Sequence, residues 1–504
     1  MATQPQTSAV DVPVRFGTDE QFDNVRKFLL ASGFTRQCVQ ERVPADLPDP
    51  VHAQAAEWGR NPASAADLLT WIFVLGQSAP AEQFQRFVPP SVAPAMEALG
   101  ILARDNNGAF FSPVFLVPIA GLYFACDRWY DPDGSDREIK GDVVYPASAS
   151  TTLRFLNLLS NTRCERLLDI GCGSGVLGLV AAASARRVWA TDITERSCVF
   201  TEFNRRLNGS ANAQVLQGDL YEPVANQAFN RIIAHPPYVP VLKPNWTFYD
   251  GGEDVERLTR QIVEGLPRHL SGGGLLLCDA TGSDRDLPFE QRVREWLGER
   301  QAEFDIAVLV RRSYEPRQFA EQLASANPTM GTIADWVQSF ERQQIRRIQQ
   351  MTLCIQHAAN ARPVFTTRRN FGAKESAAAI DWLLSYETHA ANAADLAWVM
   401  YEKPSVPPWL TLQVSSRAGA EGFTPFECKV TTDWPFASQS VIEPWMATLL
   451  NLCNGQRTTA ELFQMVLAGG YIPANAAPEQ FAGLVNAFAA NAILELSSFP
   501  LPRE

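Results

Sequence analysis

Residues 167–179 read LLDIGCGSGVLGL. An apolar run ends on an acid, Asp169, and glycines follow at 171, 173 and 175 before apolar positions resume. The pattern predicts a strand, a tight turn and a helix. Glycines in such a turn permit backbone angles that other residues resist, and they let a ligand approach the main chain closely. No Gly-Lys-Ser/Thr follows, which speaks against a phosphate-gripping loop. The acid directly before the glycines does not suit a dinucleotide fingerprint either.

Two further acids follow at the ends of apolar runs. Asp192 closes RVWATD and is followed by Ile193, and Asp219 closes AQVLQGD beside Leu220. A carboxylate at 192 can accept both hydroxyls of a ribose, and one at 219 can accept from an adenine amino group. The candidate strands are RLLDIG, RVWATD, AQVLQGD, RIIAHPP, GLLLCDA, FDIAVLVRR, MTLCIQHA and PVFTTRR, with helical stretches between the first five. That alternation predicts an α/β layer fold with a mostly parallel sheet. Ligands of such sheets bind at the carboxyl ends of the strands, where these acids fall.

The fourth strand ends in IIAHPPYVP, residues 232–240, and spends one of only five histidines there. Tandem prolines fix the backbone, so a main-chain carbonyl can be aimed into a site. His235 and that carbonyl can accept N–H bonds from a target nitrogen, and the Tyr238 ring offers a flat wall. Neutral histidine carries one donor and one acceptor, as asparagine does, but it also takes up a proton near neutral pH. His235 is therefore either a hydrogen-bonding group alone or a base as well.

On these residues, the region of about 145–310 resembles the class I S-adenosylmethionine (SAM)-dependent methyltransferases. His235-Pro236-Pro237-Tyr238 is similar to the Asn-Pro-Pro-Tyr motif of the branch holding the release-factor glutamine N5-methyltransferases and the small-domain RNA methyltransferases. The resemblance implies a Rossmann-like core with a mostly parallel seven-stranded sheet, and SAM as cofactor. It implies that Asp169, Gly171, Gly173 and Gly175 face the methionine and ribose of SAM. Asp192 and Ile193 would hold the ribose, and Asp219 and Leu220 would line the adenine. His235, Pro236 and Tyr238 would be catalytic, with Tyr145, Ser148 and Pro237 on the substrate side. Two positions depart from the glutamine enzymes: the asparagine is His235, and their Arg-x-x-Thr-Glu stretch reads YPASASTT at 145–152. Glutamine specificity is thus not implied.

The chain of 504 residues is long enough for two to four domains. Residues 1–15 read as a disordered leader, and 16–145 as helices followed by a hairpin around Asn107-Gly108, a helical or winged-helix module. Residues 146–370 form the methyltransferase domain. Residues 371–504 form a second helical or winged-helix module, in which LLNLCNGQRTTAELFQMV and AILEL resemble PqqD-like peptide-binding domains. That resemblance implies leader-peptide binding; packing or a homodimer contact is the other reading. Nine cysteines without a Cys-x-x-Cys pair point to neither zinc nor a disulfide framework, and free thiols suit a cytoplasmic location. No apolar run is long enough to span a bilayer.

A net charge of −12 argues against a large nucleic-acid surface. The acceptor expected is a peptide, protein or specialised metabolite, methylated on nitrogen. The alternatives are an RNA acceptor served by local basic residues near 342–347 and 366–369, O-methylation with His235 as base, and a non-catalytic binding protein.

Overall fold

The computed structural model describes residues 11–43, 57–131, 135, 140–242, 251, 254–326, 328–419 and 422–503. The chain folds as two compact units: residues 1–156, 161–282 and 316–345 make the first, and 157–160, 283–315 and 346–504 the second.

The first unit is built on five strands: β1 (Cys164–Ile170), β2 (Ala185–Asp192), β3 (Ala213–Gln217), β4 (Phe229–Ala234) and β5 (Leu270–Asp284, whose last two residues belong to the second unit). They are the five runs that the sequence separates by helical stretches. They pair in the order β3-β2-β1-β4-β5, every pair parallel. Both faces of such a sheet are covered, so the strands read as continuous apolar runs. Leu167, Leu168, Val188, Ile232, Ile233, Leu276 and Leu277 are all buried. The order reverses at β1, which opens a crevice between the ends of β1 and β4.

Before the sheet come α1 (Asp19–Ala31), opened by a Thr18/Gln21 capping box, and several shorter helices. The run AADLLTWIFVLGQ departs from the helix its spacing predicts. It is α-helical over Ala65–Leu69 and then widens into a π turn over Thr70–Val74, where the Leu75 N–H reaches back to the Thr70 carbonyl. A hairpin does form around Asn107-Gly108, pairing Ala103–Arg104 with Phe110–Phe111, and a second pairs Phe115–Ile119 with Leu122–Cys126.

This N-terminal part is fastened to the helix that follows β2. Counting on from α1, α2 is Ser150–Leu156, α3 Val176–Ala181, α4 Glu195–Asn208 and α5 Arg257–His269. Phe22 of α1 meets Phe203 of α4 edge-on at 5.3 Å. One turn apart on α4, Asn204 and Asn208 each bond a backbone N–H and carbonyl of the second hairpin. Asn204 takes those of Ala125 at 2.8 and 3.0 Å, and Asn208 those of Tyr123 at 2.8 and 2.7 Å. Two side-chain amides thus act as a neighbouring strand would. Beside them, buried Arg196 grips both oxygens of Asp127, whose Oδ2 also accepts the Val144 N–H.

The second unit has β6 (Phe304–Tyr314) between antiparallel β7 (Arg347–His357) and parallel β8 (Thr366–Phe371). An antiparallel meander of Thr411–Gly419, Gly422–Thr432 and Phe436–Ile442 joins β8 through its last strand. Of these only the first carries a strand-like stretch in the sequence, KPSVPPWLTLQVSS at 403–416. The second contains Pro425, and the register shift beside it lets the strand accept a proline. Helices Ala377–Asn392, Pro444–Leu452, Thr459–Ala468 and Pro478–Ala490 complete the unit, the third opened by Thr458 in a capping box with Glu461. Among the described residues no helix is long and apolar enough to cross a membrane.

Replacing Arg196 by Met leaves the Asp127 carboxylate buried without its cation. The expected loss is about 3–5 kcal/mol of stability, read from denaturant unfolding of the variant against the wild type. Equal midpoints would show that the pair contributes nothing.

Candidate active site

A cavity of about 880 Å³ opens beyond the carboxyl ends of β1, β2 and β4. Its floor is the glycine turn. Gly171, Gly173 and Gly175 have φ of +69°, +56° and +78°. A side chain on either of the first two would meet nothing within 4 Å, whereas one on Gly175 would strike Thr201 at 2.7 Å. The turn thus packs down on one side and leaves its backbone open to the cavity on the other.

Asp169 lies beneath this turn and is almost fully buried. Its Oδ2 accepts the Gly178 N–H at 2.8 Å, and its Oδ1 is buried with no hydrogen-bond partner among the described residues. Burial pushes its pKa from 3.8 up to about 7; the Gly178 bond opposes the shift and nearby Asp192 adds to it. Asp192 itself is raised by burial, against the hydrogen bonds it receives from the Thr194 and Gly173 N–H groups. Ile193, half exposed, and Leu220 and Asp219 continue the wall. Asp219 is exposed, and Leu220 holds a φ of +44° with its carbonyl 3.4 Å from the Thr191 hydroxyl.

The His235–Tyr238 segment lines the same cavity. Pro236 is buried, and the His235 ring sits between Phe155 at 5.7 Å and Tyr238 at 5.5 Å. Tyr145 also lines the cavity and meets Trp129 edge-on at 5.6 Å. Ser148 does not line the cavity. It is buried, with no hydrogen-bond partner for its hydroxyl among the described residues. Ser150 is exposed at the start of α2. Asp254 accepts the Glu256 N–H, whereas Asp250 and His52 lie outside the described residues.

Two residues were missed from sequence. The β4–β5 register sets Ala234 opposite Cys278, so His235 and Asp279 follow side by side. His235 Nε2 lies 3.3 Å from Asp279 Oδ2, and Arg154 of α2 donates to the same oxygen at 2.7 Å. Asp279 is fully buried. It sits in GLLLCDA, and an acid closing an apolar run was the signal already used at 169, 192 and 219. Arg154 had no such signal.

Residues 148–302 match the model of the family described as "Methyltransferase small domain". A release factor glutamine methyltransferase of Gloeobacter violaceus is 29% identical over 158 residues, 26% of this chain and 55% of that protein. A ribosomal protein uL3 glutamine methyltransferase of Bradyrhizobium diazoefficiens is 32% identical over 140 residues, 25% of this chain and 43% of that protein. The chain thus spans about half the length of the curated relatives it matches. Among solved structures, a ribosomal protein L11 methylase from Lactobacillus delbrueckii subsp. bulgaricus covers 42% of this chain and 80% of its own, at 19% identity and a TM-score of 0.25. The matched segment bears out the class I methyltransferase reading of the core.

Between pH 4 and 7, roughly, native Asp169 keeps a proton that the unfolded chain has lost, so stability falls as pH rises through that interval. Asp169→Asn removes this slope. Its stability relative to wild type is expected to climb by about 2–3 kcal/mol between about pH 5 and about pH 7.5. A constant difference in thermal unfolding would refute the buried charge.

Proposed function

We propose that this chain transfers a methyl group from SAM to a nitrogen of a peptide or protein. One observation carries the reading: the open glycine turn, Asp192 and the His-Pro-Pro-Tyr segment line a single cavity, with Asp169 buried beneath the turn. The residues suit the cofactor. The unpartnered Asp169 Oδ1 would take an ammonium group, and the open backbone at Gly171 and Gly173 leaves room beside it. Asp192 would accept the ribose hydroxyls, and Ile193, Asp219 and Leu220 would border the adenine. When bound, SAM supplies a methyl group on a sulfonium.

His235 and the main-chain carbonyl held by Pro236 and Pro237 would accept from the target nitrogen, with Tyr238 as its wall. Most of the rate would come from this positioning. Tyr145 would border the acceptor, and Ser148 would support that border from behind. The named activities of the two curated relatives, both on protein glutamine, support a protein acceptor. His235 in place of asparagine keeps the acceptor side chain open.

The RNA alternative needs a basic face. Its local candidates are answered by carboxylates: Arg346 by Asp286, Arg347 by Glu315, Arg368 by Asp284 and Arg369 by Glu387.

Calorimetry with SAM tests the reading. Asp192→Ala removes hydrogen bonds to a charged acceptor, each worth about 1.5–3 kcal/mol, so a roughly 10- to 100-fold weaker Kd is expected. A folded wild type that binds no SAM sinks the proposal. With methyl-labelled SAM and host extract, label is expected in the protein fraction; label in RNA alone would overturn the choice of acceptor.

A further inference from the structure

We infer that Asp279 is a positioning residue that fixes His235 as its Nε2–H tautomer and so leaves Nδ1 as a proton acceptor for the target nitrogen. The inference rests on the methyltransferase reading for its purpose, but not for its geometry.

The placement follows from the sheet. Parallel register sets His235, just past the end of β4, beside Asp279 within β5, and Nε2 comes within 3.3 Å of a carboxylate that is 0% exposed. A ring nitrogen facing a buried carboxylate carries the proton, because two lone pairs would otherwise oppose each other. The second nitrogen then has the lone pair. The His235 side chain lines the cavity.

Arg154 sets the charge. It donates to the oxygen that His235 faces, so the Asp279 carboxylate already has its cation. The groups facing the ring are Asp279 on β5, Arg154 behind it on α2, and Phe155 and Tyr238. Asp142, Tyr145, Cys172, Asp192, Asp219 and Arg257 look into the same cavity.

An asparagine at 235 could offer a hydrogen bond but could not take a proton. The oriented imidazole suits a nitrogen that arrives protonated, an amine as its ammonium or an imidazole, and not a carboxamide. The step is a proton transfer: the target N–H bond breaks, its electron pair becomes the nitrogen lone pair, and the proton and its charge pass to Nδ1.

Nitrogen NMR of the full chain tests this without any ligand, since five histidines are few enough to assign by substitution. At alkaline pH its spectrum is expected to show one protonated nitrogen, Nε2, and an unprotonated Nδ1. In Asp279→Asn, whose amide can donate as well as accept, the signal is expected to become a mixture of both tautomers. An Nδ1–H ring in the wild type overturns the inference, and so does an unchanged Nε2–H ring in folded Asp279→Asn. If that variant does not fold, the wild-type spectrum still decides. SAM calorimetry on the same samples separates the two proposals. Binding with an Nδ1–H ring fails this one alone, whereas the Nε2–H ring without binding fails the methyl-transfer reading alone.

Discussion

Everything in the site depends on parallel strands that end together. In an antiparallel sheet, neighbouring strand ends point opposite ways, and a residue just past one strand has no counterpart just past the next. Here β2, β1 and β4 release their chains on one edge, within a residue or two of each other, and β5 runs beside them before continuing to Asp284. Asp169, Asp192, His235 and Asp279, distant in sequence, become neighbours because Asp169 pairs with Ile233 and Ala234 with Cys278. A one-residue slip between β4 and β5 would turn Asp279 to the other face and part it from the imidazole. The apolar faces of both strands hold that register.

The same arrangement concentrates negative charge where water is scarce. Burial raises the pKa of Asp169 and of Asp192, while Asp279 is held by Arg154. The first two lie at the glycine turn, and among the described residues neither has an ion-pair partner. The third has its cation supplied internally. That difference sets the glycine-turn end of the cavity, with Asp192 in its wall, apart from the end lined by His235.

The parallel core was legible in the sequence because four of its five strands carry apolar runs, and each of the five closes on a hydrogen-bonding or charged residue near the site. The positions of Asp169, the glycines, Asp192 and His235 could be read from that alone. Asp279 escaped although it obeyed the same rule, because no turn chemistry follows it and the strand runs on to Asp284. Arg154 is a surface-type residue in a short helix, and only the fold brings it to Asp279. Ser148 reads as a cavity residue from its place between Tyr145 and α2, yet the backbone there turns it inward. The meander after Thr411 was invisible beyond its first strand, since its residues are mostly exposed and polar and alternate weakly.

The asparagines of α4 have a consequence for how separable the core is. Asn204 and Asn208 spend both ends of their amides on the backbone of the second hairpin, and buried Arg196 spends its charge on Asp127 just beyond it. A core cut free after residue 145 would present an apolar helix face studded with two amides and a guanidinium that water must reach through neighbouring hydrocarbon. The region before the sheet is therefore not a passenger that can be trimmed or exchanged at will. In a lineage where that region drifts, α4 has to drift with it, and α4 begins beside the acid that closes β2.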